Sequence, residues 1–167
     1  MVPHMFCVPG MTSFRGLFED VLGVPVFSSP SDSSALSCNK AQTRSVVSTF
    51  GVRVPNAQVV CQGDSVTMQP PFIVKPNTED NSLGLTLVWE PEEIAEALRA
   101  GFEHDETLLV EDYIPGRELR VAVVERKGKL SVLPAIEYLV TKDNPIRTLI
   151  NMYFNLMELL QNNLTSQ

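Results

Sequence analysis

The 167-residue chain has few cysteines and histidines, and its apolar runs are short. Cys7, Cys38 and Cys61 are odd in number and widely spaced, which favours reduced thiols over a disulfide framework. They form no C-x-x-C pair, and His4 and His104 stand far apart, so the ligand spacing of a zinc site is missing. No apolar run approaches the roughly 20 residues of a membrane-spanning helix, and no leader pattern opens the chain. We therefore expect no membrane association and a cytoplasmic location.

Positive charge is also scarce, with 13 Lys+Arg against 20 Asp+Glu and a net charge of −7. Binding to nucleic acid depends largely on neutralising phosphates, so this balance argues against a nucleic-acid partner. The contents of apolar residues (44 %) and charged residues (20 %) are those of folded proteins and exclude a disordered chain. Any anionic ligand must be held by locally placed lysines and arginines.

Three common catalytic signatures are missing from the sequence. It contains no G-x-x-x-x-G-K-[ST], no G-x-G-x-x-G and no G-x-S-x-G. P-loop, Rossmann and α/β-hydrolase chemistry therefore lack their motifs. A Ser/His/Asp triad would need His4 or His104, and neither stands in a suitable sequence context.

The N-terminal third has helical periodicity. Apolar residues at helical spacing predict an amphipathic helix over residues 12–22, with Gly23 as its stop. A short strand is expected at 24–27, and a second helix over 34–50, ended by Gly51.

From about Ala57 the pattern changes to strands, with one further helix beginning at Pro91. The predicted strands cover residues 58–60, 72–74, 85–89, 108–110, 118–125 and 130–133. This order predicts an α+β fold with a largely antiparallel sheet and helices on one face. Residues 149–167 form an apolar helical pattern, which predicts self-association, for example as a homodimer.

Lys75 ends a buried-type strand, where an ammonium group is costly without a partner. The loop that follows, residues 77–84, is rich in small polar residues whose N–H groups can approach an anion closely. One interpretation is a phosphate-covering loop beside a phosphate-binding lysine. The alternative is a surface hairpin whose lysine extends to solvent.

A second candidate segment spans residues 108–119. Its strand ends at Glu111 and Asp112, passes an aromatic-aliphatic pair and turns at a Pro-Gly. Such a hinge can present backbone groups to an adenine ring, and Glu118 can reach a ribose hydroxyl. An edge strand with solvated acids explains the same residues.

Taken together, these segments resemble the ATP-grasp fold of the D-alanine–D-alanine ligase family. The segments PFIVKPNTEDNSLGLTLV and LLVEDYIPGRELRVAVV are similar to that family's Lys-Pro loop and its hinge. CNKAQTRSVVSTFGVRVPNAQVV is similar to its lysine-led helix and the strand that follows it. The resemblance extends over roughly residues 10–148.

The resemblance implies an ATP-dependent carboxylate–amine ligase of peptidoglycan synthesis, with ATP, Mg²⁺ and D-alanine as its small-molecule partners. Two lysines would bind phosphates, two loop residues would cover them, and three hinge residues would hold adenine and ribose. The seven residues are, in that order, Lys40, Lys75, Asn81, Ser82, Glu111, Ile114 and Glu118. Glu137 and Arg147 are candidates to face the substrate.

The resemblance also implies a division of the chain into parts of the family's architecture. Residues 1–30 correspond to a remnant of the preceding domain, 31–114 to the central ATP-grasp subdomain, and 115–148 to the start of the second lobe. Residues 149–167 diverge, and the Asp and Glu-x-Asn that hold Mg²⁺ in the family have no counterpart. We expect a fragment shortened at both ends that is inactive alone, so a non-catalytic ATP-binding module and a ligase with another acceptor remain alternatives.

Overall fold

A computed structural model describes residues 10, 12–138, 140, 145 and 146. The helices and strands, in chain order, are α1 (Ser13–Gly16, continued by a π-helical turn Leu17–Val21), α2 (Ser31–Ser37), α3 (Lys40–Thr49), β1 (Ala57–Cys61), β2 (Phe72–Pro76), β3 (Thr86–Val88), a 3-10 turn (Pro91–Glu93) leading into α4 (Ile94–Phe102), β4 (Thr107–Asp112), β5 (Glu118–Arg120), β6 (Val123–Arg126), β7 (Lys129–Val132) and β8 (Ile136–Tyr138). None of the helices in this part of the chain has the length and apolar character that crossing a membrane requires.

The central sheet has four strands in the order β1-β4-β2-β3, and every pair is antiparallel. The predicted antiparallel sheet is thereby confirmed. Strand β4 lies in the middle, pairing with β1 on one side and β2 on the other. In the β2–β4 ladder Ile73 lies opposite Glu111, and Lys75 lies opposite Leu109.

The core lies on one face of this sheet, because alternate residues of a strand point to opposite faces. Phe72 and Val74 of β2 and Leu108 and Val110 of β4 are fully buried, and they form one cluster with Ala97 of α4. Helix α4 begins with a capping box in which the side chains of the N-cap and N3 glutamates bind backbone N–H groups reciprocally. Helix and sheet therefore stabilise each other on this face.

The opposite face of the sheet carries the charged side chains. Lys75 of β2 and Glu111 of β4 point away from the core, and helix α3 lies over this face beside a cavity of about 240 Å³. The sheet thus separates an apolar layer under α4 from a polar layer under α3.

In the N-terminal third the predicted strand was wrong, whereas the helix predicted over 12–22 is confirmed over residues 13–21 with a change of hydrogen-bond pattern. Residues 24–27 form no strand, and the α-helix at 13–16 becomes a π-helical turn at Leu17. Arg15 is 7 % exposed, and its guanidinium donates hydrogen bonds to the carbonyl and hydroxyl oxygens of Ser28. The Arg15 guanidinium therefore binds backbone oxygens of the segment that follows the helix. Residues 24–27 pair with no strand among the described residues.

The helix predicted over 34–50 is two helices. The first begins earlier, at Ser31, and the chain breaks at Cys38 and Asn39. The Asn39 side chain then caps α3 by accepting a hydrogen bond from the N–H of Gln42 at 2.9 Å. Asparagine favours an N-cap over a helix interior, so the break follows from local chemistry.

Beyond the central sheet the chain forms two small two-stranded sheets, β5–β8 and the hairpin β6–β7. The strand predicted over 118–125 is interrupted at residues 121 and 122, and β8 was not predicted. The hairpin's side chains are largely exposed, with Leu130 at 73 % and Val132 at 70 %.

The apolar segment 149–167, for which the sequence predicts a helix and self-association, lies outside the described residues.

Candidate functional site

The lysine predicted to need a partner has one. Lys75 Nζ forms an ion pair with Oε1 of Glu111, and the two side chains are 20 % and 14 % exposed. The two residues are diagonal neighbours in the β2–β4 ladder, where long side chains on one face meet. A charge at this depth is tolerated because an opposite charge and a hydrogen bond accompany it.

Lys40, the first residue of α3, brings a second ammonium group to the same region. Its Nζ donates to the carbonyl oxygens of Asn77, at 3.4 Å, and of Glu79. Burial lowers the pKa of Lys40, and the positive charge of Lys75 lowers it further. The two lysines therefore stand close enough to repel each other, which prepares the region for an anion.

Lys40, Lys75 and Glu111 line the same cavity of about 240 Å³. The cavity also includes Arg44, whose guanidinium donates to the carbonyl oxygen of Pro55 and ties α3 to the chain before β1. Three cationic side chains and one carboxylate thus meet in one concave region, which suits an anionic ligand with several charges.

A second cavity, of about 450 Å³, brings together Ser82, Ile114 and Glu118. It lies between the loop after β2 and the hinge after β4, and Ile73 and Tyr113 are among its lining residues. Because Ile73 is directly opposite Glu111 in the sheet, the two cavities are neighbours on one face. Ile114 is 65 % exposed at its mouth.

Asn81 is the one of the seven predicted residues that lines neither cavity. It is exposed in the turn at 81–84, where it and Ser82 have φ values of 51° and 60°. This left-handed conformation is uncommon for residues other than glycine, although asparagine adopts it more readily than most. The turn presents Ser82, rather than Asn81, to the larger cavity.

The loop 77–84 is anchored at its beginning by Asp105. The Asp105 carboxylate accepts hydrogen bonds from the N–H and hydroxyl of Thr78, at 2.7 and 2.8 Å, and from the N–H of Thr107 at 3.0 Å. Burial alone would raise the pKa of Asp105, but these hydrogen bonds outweigh it and hold the pKa below its ordinary value. The loop is therefore attached to the start of β4.

Glu137 was a candidate to face the substrate, and it already has a cationic partner. Arg117 donates two hydrogen bonds to its carboxylate, at 2.7 and 2.6 Å, and these bonds lower the pKa of Glu137. Arg117 itself lines the larger cavity. Arg147, the other candidate, lies outside the described residues.

Sequence reasoning gave no individual role to three residues that the structure places at the site, although Tyr113 lay within the predicted hinge and Asn77 within the predicted loop. They are Arg44 and Tyr113, which line the cavities, and Asn77, which bonds to Lys40. Arg44 stands four residues after Lys40, so helical spacing would have put both on one face. Nothing local to Asn77 indicates its bonds, because they depend on how α3 meets the sheet.

Residues 47–146 match the family model described as D-ala D-ala ligase C-terminus. The chain belongs to the D-alanine–D-alanine ligase family. It is 33 % identical over 124 residues to the D-alanine–D-alanine ligase of Halalkalibacterium halodurans, a match that covers 71 % of this chain and 41 % of that protein. The match confirms the resemblance drawn from the Lys-Pro loop and the hinge.

Solved ligase structures share the fold. The VanG D-Ala:D-Ser ligase of Enterococcus faecalis superposes with a TM-score of 0.68 at 29 % identity, covering 75 % of this chain and 38 % of that one. A Bacillus anthracis D-alanine–D-alanine ligase complexed with ATP superposes with a TM-score of 0.64 at 23 % identity, covering 78 % and 44 %. The predicted ATP-grasp fold is confirmed, and the chain spans less than half the length of these relatives.

Proposed function

We propose that the chain binds ATP across the two neighbouring cavities, as the nucleotide-binding part of an ATP-dependent carboxylate–amine ligase of the D-alanine–D-alanine type. The observation that carries the proposal is the convergence of Lys40 and Lys75 on one cavity, in a chain of this family. A triphosphate needs cations held at close range, and an acidic chain has to supply them locally. The ATP-complexed relative is consistent with this assignment.

The seven residues have distinct roles in the proposal. Lys40 and Lys75 bind phosphate oxygens, while Ser82 and Asn81 belong to the loop that closes over them. Glu111 and Ile114 frame the adenine at the hinge, and Glu118 binds ribose. To bind a phosphate, Lys75 must exchange part of its contact with Glu111 for the ligand, so nucleotide binding is coupled to this ion pair.

The proposed reaction proceeds in two steps. The γ-phosphoryl group of ATP passes to the carboxylate of a first amino acid, forming an acyl phosphate and releasing ADP. The amine of a second amino acid then attacks the acyl carbon, and inorganic phosphate leaves as the amide bond forms. The lysines counter the charge that develops on the transferred group.

We propose D-alanine as the substrate of this reaction. The proposed setting is peptidoglycan synthesis in the cytoplasm, and the proposed assembly is a homodimer.

The described residues contain no large cluster of metal-ligating side chains. Among them no group of three or more His, Cys, Asp or Glu side chains is placed to hold a metal ion. Phosphoryl transfer relies strongly on metal ions. The sequence has no counterpart of the Asp and Glu-x-Asn that the family resemblance implies, and this motivates the second candidate function, a non-catalytic ATP-binding module. A third candidate, a ligase with a different acceptor, is favoured by the similarity to a D-Ala:D-Ser ligase.

Titration calorimetry of the whole chain with ATP tests the central claim. We expect saturable binding, weakened roughly ten- to a hundred-fold by Lys75→Ala, because a hydrogen bond to a charged group contributes about 1.5–3 kcal/mol. Lys129→Ala, on the exposed β6–β7 hairpin, is the matched control and should leave affinity unchanged. A folded chain that does not bind ATP, or equal affinities for native and Lys75→Ala, would refute the assignment.

Thermal-shift measurements distinguish the three functions. Stabilisation by ATP alone supports the binding module, because a ligand raises stability only through the folded state that binds it. A further shift with D-alanine supports the ligase, and a further shift only with another amino or hydroxy acid supports the changed acceptor.

A further inference from the structure

Asn77 connects three elements at the site, and its side chain is almost fully buried, at 5 % exposure. Its N–H donates to the carbonyl oxygen of Thr107 at 3.0 Å, which extends the β2–β4 pairing by one residue. Its own carbonyl oxygen accepts from the N–H of Lys40 at 3.0 Å. Its Oδ1 accepts from the N–H of Ala41 at 2.9 Å.

Two of these bonds satisfy N–H groups at the N-terminus of helix α3. The first N–H groups of an α-helix have no acceptor within the helix. At the start of α3 the Asn39 side chain accepts a hydrogen bond from the N–H of Gln42. Asn77 accepts hydrogen bonds from the N–H groups of Lys40 and Ala41. A residue outside the helix therefore fixes where the helix begins relative to the sheet.

The position of the Lys40 side chain follows from this tie. The Lys40 ammonium lies 3.4 Å from the Asn77 carbonyl oxygen, in the cavity that Lys75 also lines. Two like charges in one cavity repel, so an untied helix end would let Lys40 move towards solvent. The Asn77 side chain opposes that movement through the bond from the Ala41 N–H to its Oδ1, while the main-chain carbonyl oxygens of Asn77 and Glu79 accept from the ammonium group.

We propose that Asn77 is a positioning residue, which holds Lys40 beside Lys75 so that both ammonium groups meet the same anionic ligand. The part of this proposal that concerns the ligand rests on the proposed function. The part that concerns Lys40 in the free protein does not. The two parts are therefore tested separately.

The first test follows the ε-carbon NMR signal of Lys40 during a pH titration of the ligand-free chain. Asn77→Ala removes the Oδ1 acceptor of the Ala41 N–H and keeps the main-chain carbonyl. It should loosen the first turn of α3, so that the Lys40 side chain gains solvent and its titration midpoint moves upward, towards that of an ordinary lysine. Ser45→Ala removes a different bond to Ala41, from the Ser45 hydroxyl to its carbonyl oxygen, and should change nothing.

The second test is a double-mutant cycle on the affinity for ATP. Asn77→Ala alone should raise the dissociation constant about ten-fold, the effect of losing one charge-assisted contact. In a Lys40→Met background the same substitution should change it by less than about two-fold, since residues that act through each other are not additive. A residue that merely supports the fold would produce equal effects in both backgrounds.

The outcomes separate the two proposals. An upward shift of the Lys40 midpoint together with a non-additive cycle supports the positioning role. An unchanged Lys40 midpoint in Asn77→Ala, or additive effects in the cycle, overturns it. If the native chain binds no ATP, the proposed function fails, and the NMR titration alone decides whether Asn77 holds Lys40. If Asn77→Ala does not fold, Asn77→Gln, whose longer side chain misplaces the acceptor, takes its place in both tests.

Discussion

Lys75 and Glu111 are ion-paired across adjacent strands at the depth where the sheet meets helix α3. Both side chains are mostly buried, so each charge depends on the other for its stability. The proposed ATP site uses both residues, which means that the same pair serves the fold and the ligand. These two contributions can be separated by substitution.

Lys75→Met should lower the free energy of unfolding by about 2–3 kcal/mol, because it leaves the Glu111 carboxylate buried without a partner. Adding Glu111→Gln should recover most of this loss, since a neutral amide needs no counter-ion. Affinity for ATP should stay low in both variants because the phosphate-binding charge is gone. Urea unfolding and calorimetry measure the two quantities. Loss of stability that Glu111→Gln does not recover would show that Lys75 stabilises the fold by another contact.

The sequence predicted the central sheet because its determinants are local. Short apolar runs at residues 72–74 and 108–110 predicted buried strands, and the lysine at position 75 indicated where charge meets the sheet. The predicted start of the helix after Pro91 was confirmed for the same reason, since the capping box is formed within four residues. Family resemblance added the expectation that Lys40 would join Lys75, although the two are far apart in sequence.

Features that depend on contacts between distant segments were not predicted. The irregular chain at 24–28 is held by the buried Arg15, which donates to Val26 and Ser28, more than ten residues away. The role of Asn77 follows from α3 meeting the sheet, and no periodicity within residues 77–84 encodes that. The nucleotide-binding roles given to all seven site residues remain predictions.

Gly84 occupies a position where a side chain would be strained and crowded. Its φ is +66°, and a Cβ there would lie 2.7 Å from Cδ2 of His104 and 2.8 Å from Cγ of Pro76. Gly128 has a similar φ of +70° and open space around it, so Gly128→Ala should cost only about 1 kcal/mol of unfolding free energy. Gly84→Ala should cost about 1–3 kcal/mol more, because the buried proline cannot yield. Denaturant titrations of both variants test this; equal losses would mean that the loop end can move away.

Asp105 should make the stability of the loop depend on pH. Its folded pKa lies below the ordinary 3.8, so its contribution is fully present above that value and is lost as pH falls through the folded pKa. Asp105→Asn should therefore cost about 1 kcal/mol at pH 7, after solvent screening is allowed for. The difference from the native chain should shrink at acidic pH. Chemical denaturation at several pH values measures it, and a difference independent of pH would exclude the carboxylate as its source.

Trp89 provides an optical probe of the larger cavity. It is the only tryptophan in the chain, and its ring packs edge-on against Tyr113, with centroids 5.5 Å apart. Because Tyr113 lines the proposed adenine site, ATP should change the Trp89 fluorescence. Tyr113→Leu should abolish most of that change, while Phe50→Leu, at an aromatic that is 81 % exposed, should preserve it. A full response in Tyr113→Leu would place the base elsewhere.

A protein of these 167 residues should not form D-alanyl-D-alanine from ATP, Mg²⁺ and D-alanine. The triphosphate brings about four negative charges to a reacting carboxylate. The cationic side chains of the smaller cavity, Lys40, Arg44 and Lys75, are partly offset by the Glu111 carboxylate, and metal ions normally provide much of the remaining positive charge. The described residues contain no cluster of three or more metal-ligating side chains, and beyond Arg147 the sequence contains a single acid, Glu158, with leucine rather than asparagine two residues on. Phosphate release should therefore stay at the background rate, while the Halalkalibacterium halodurans ligase serves as the positive control under the same conditions. Turnover within the typical enzyme range of ~1–10³ s⁻¹ would show that this chain positions the metal by residues outside the described part.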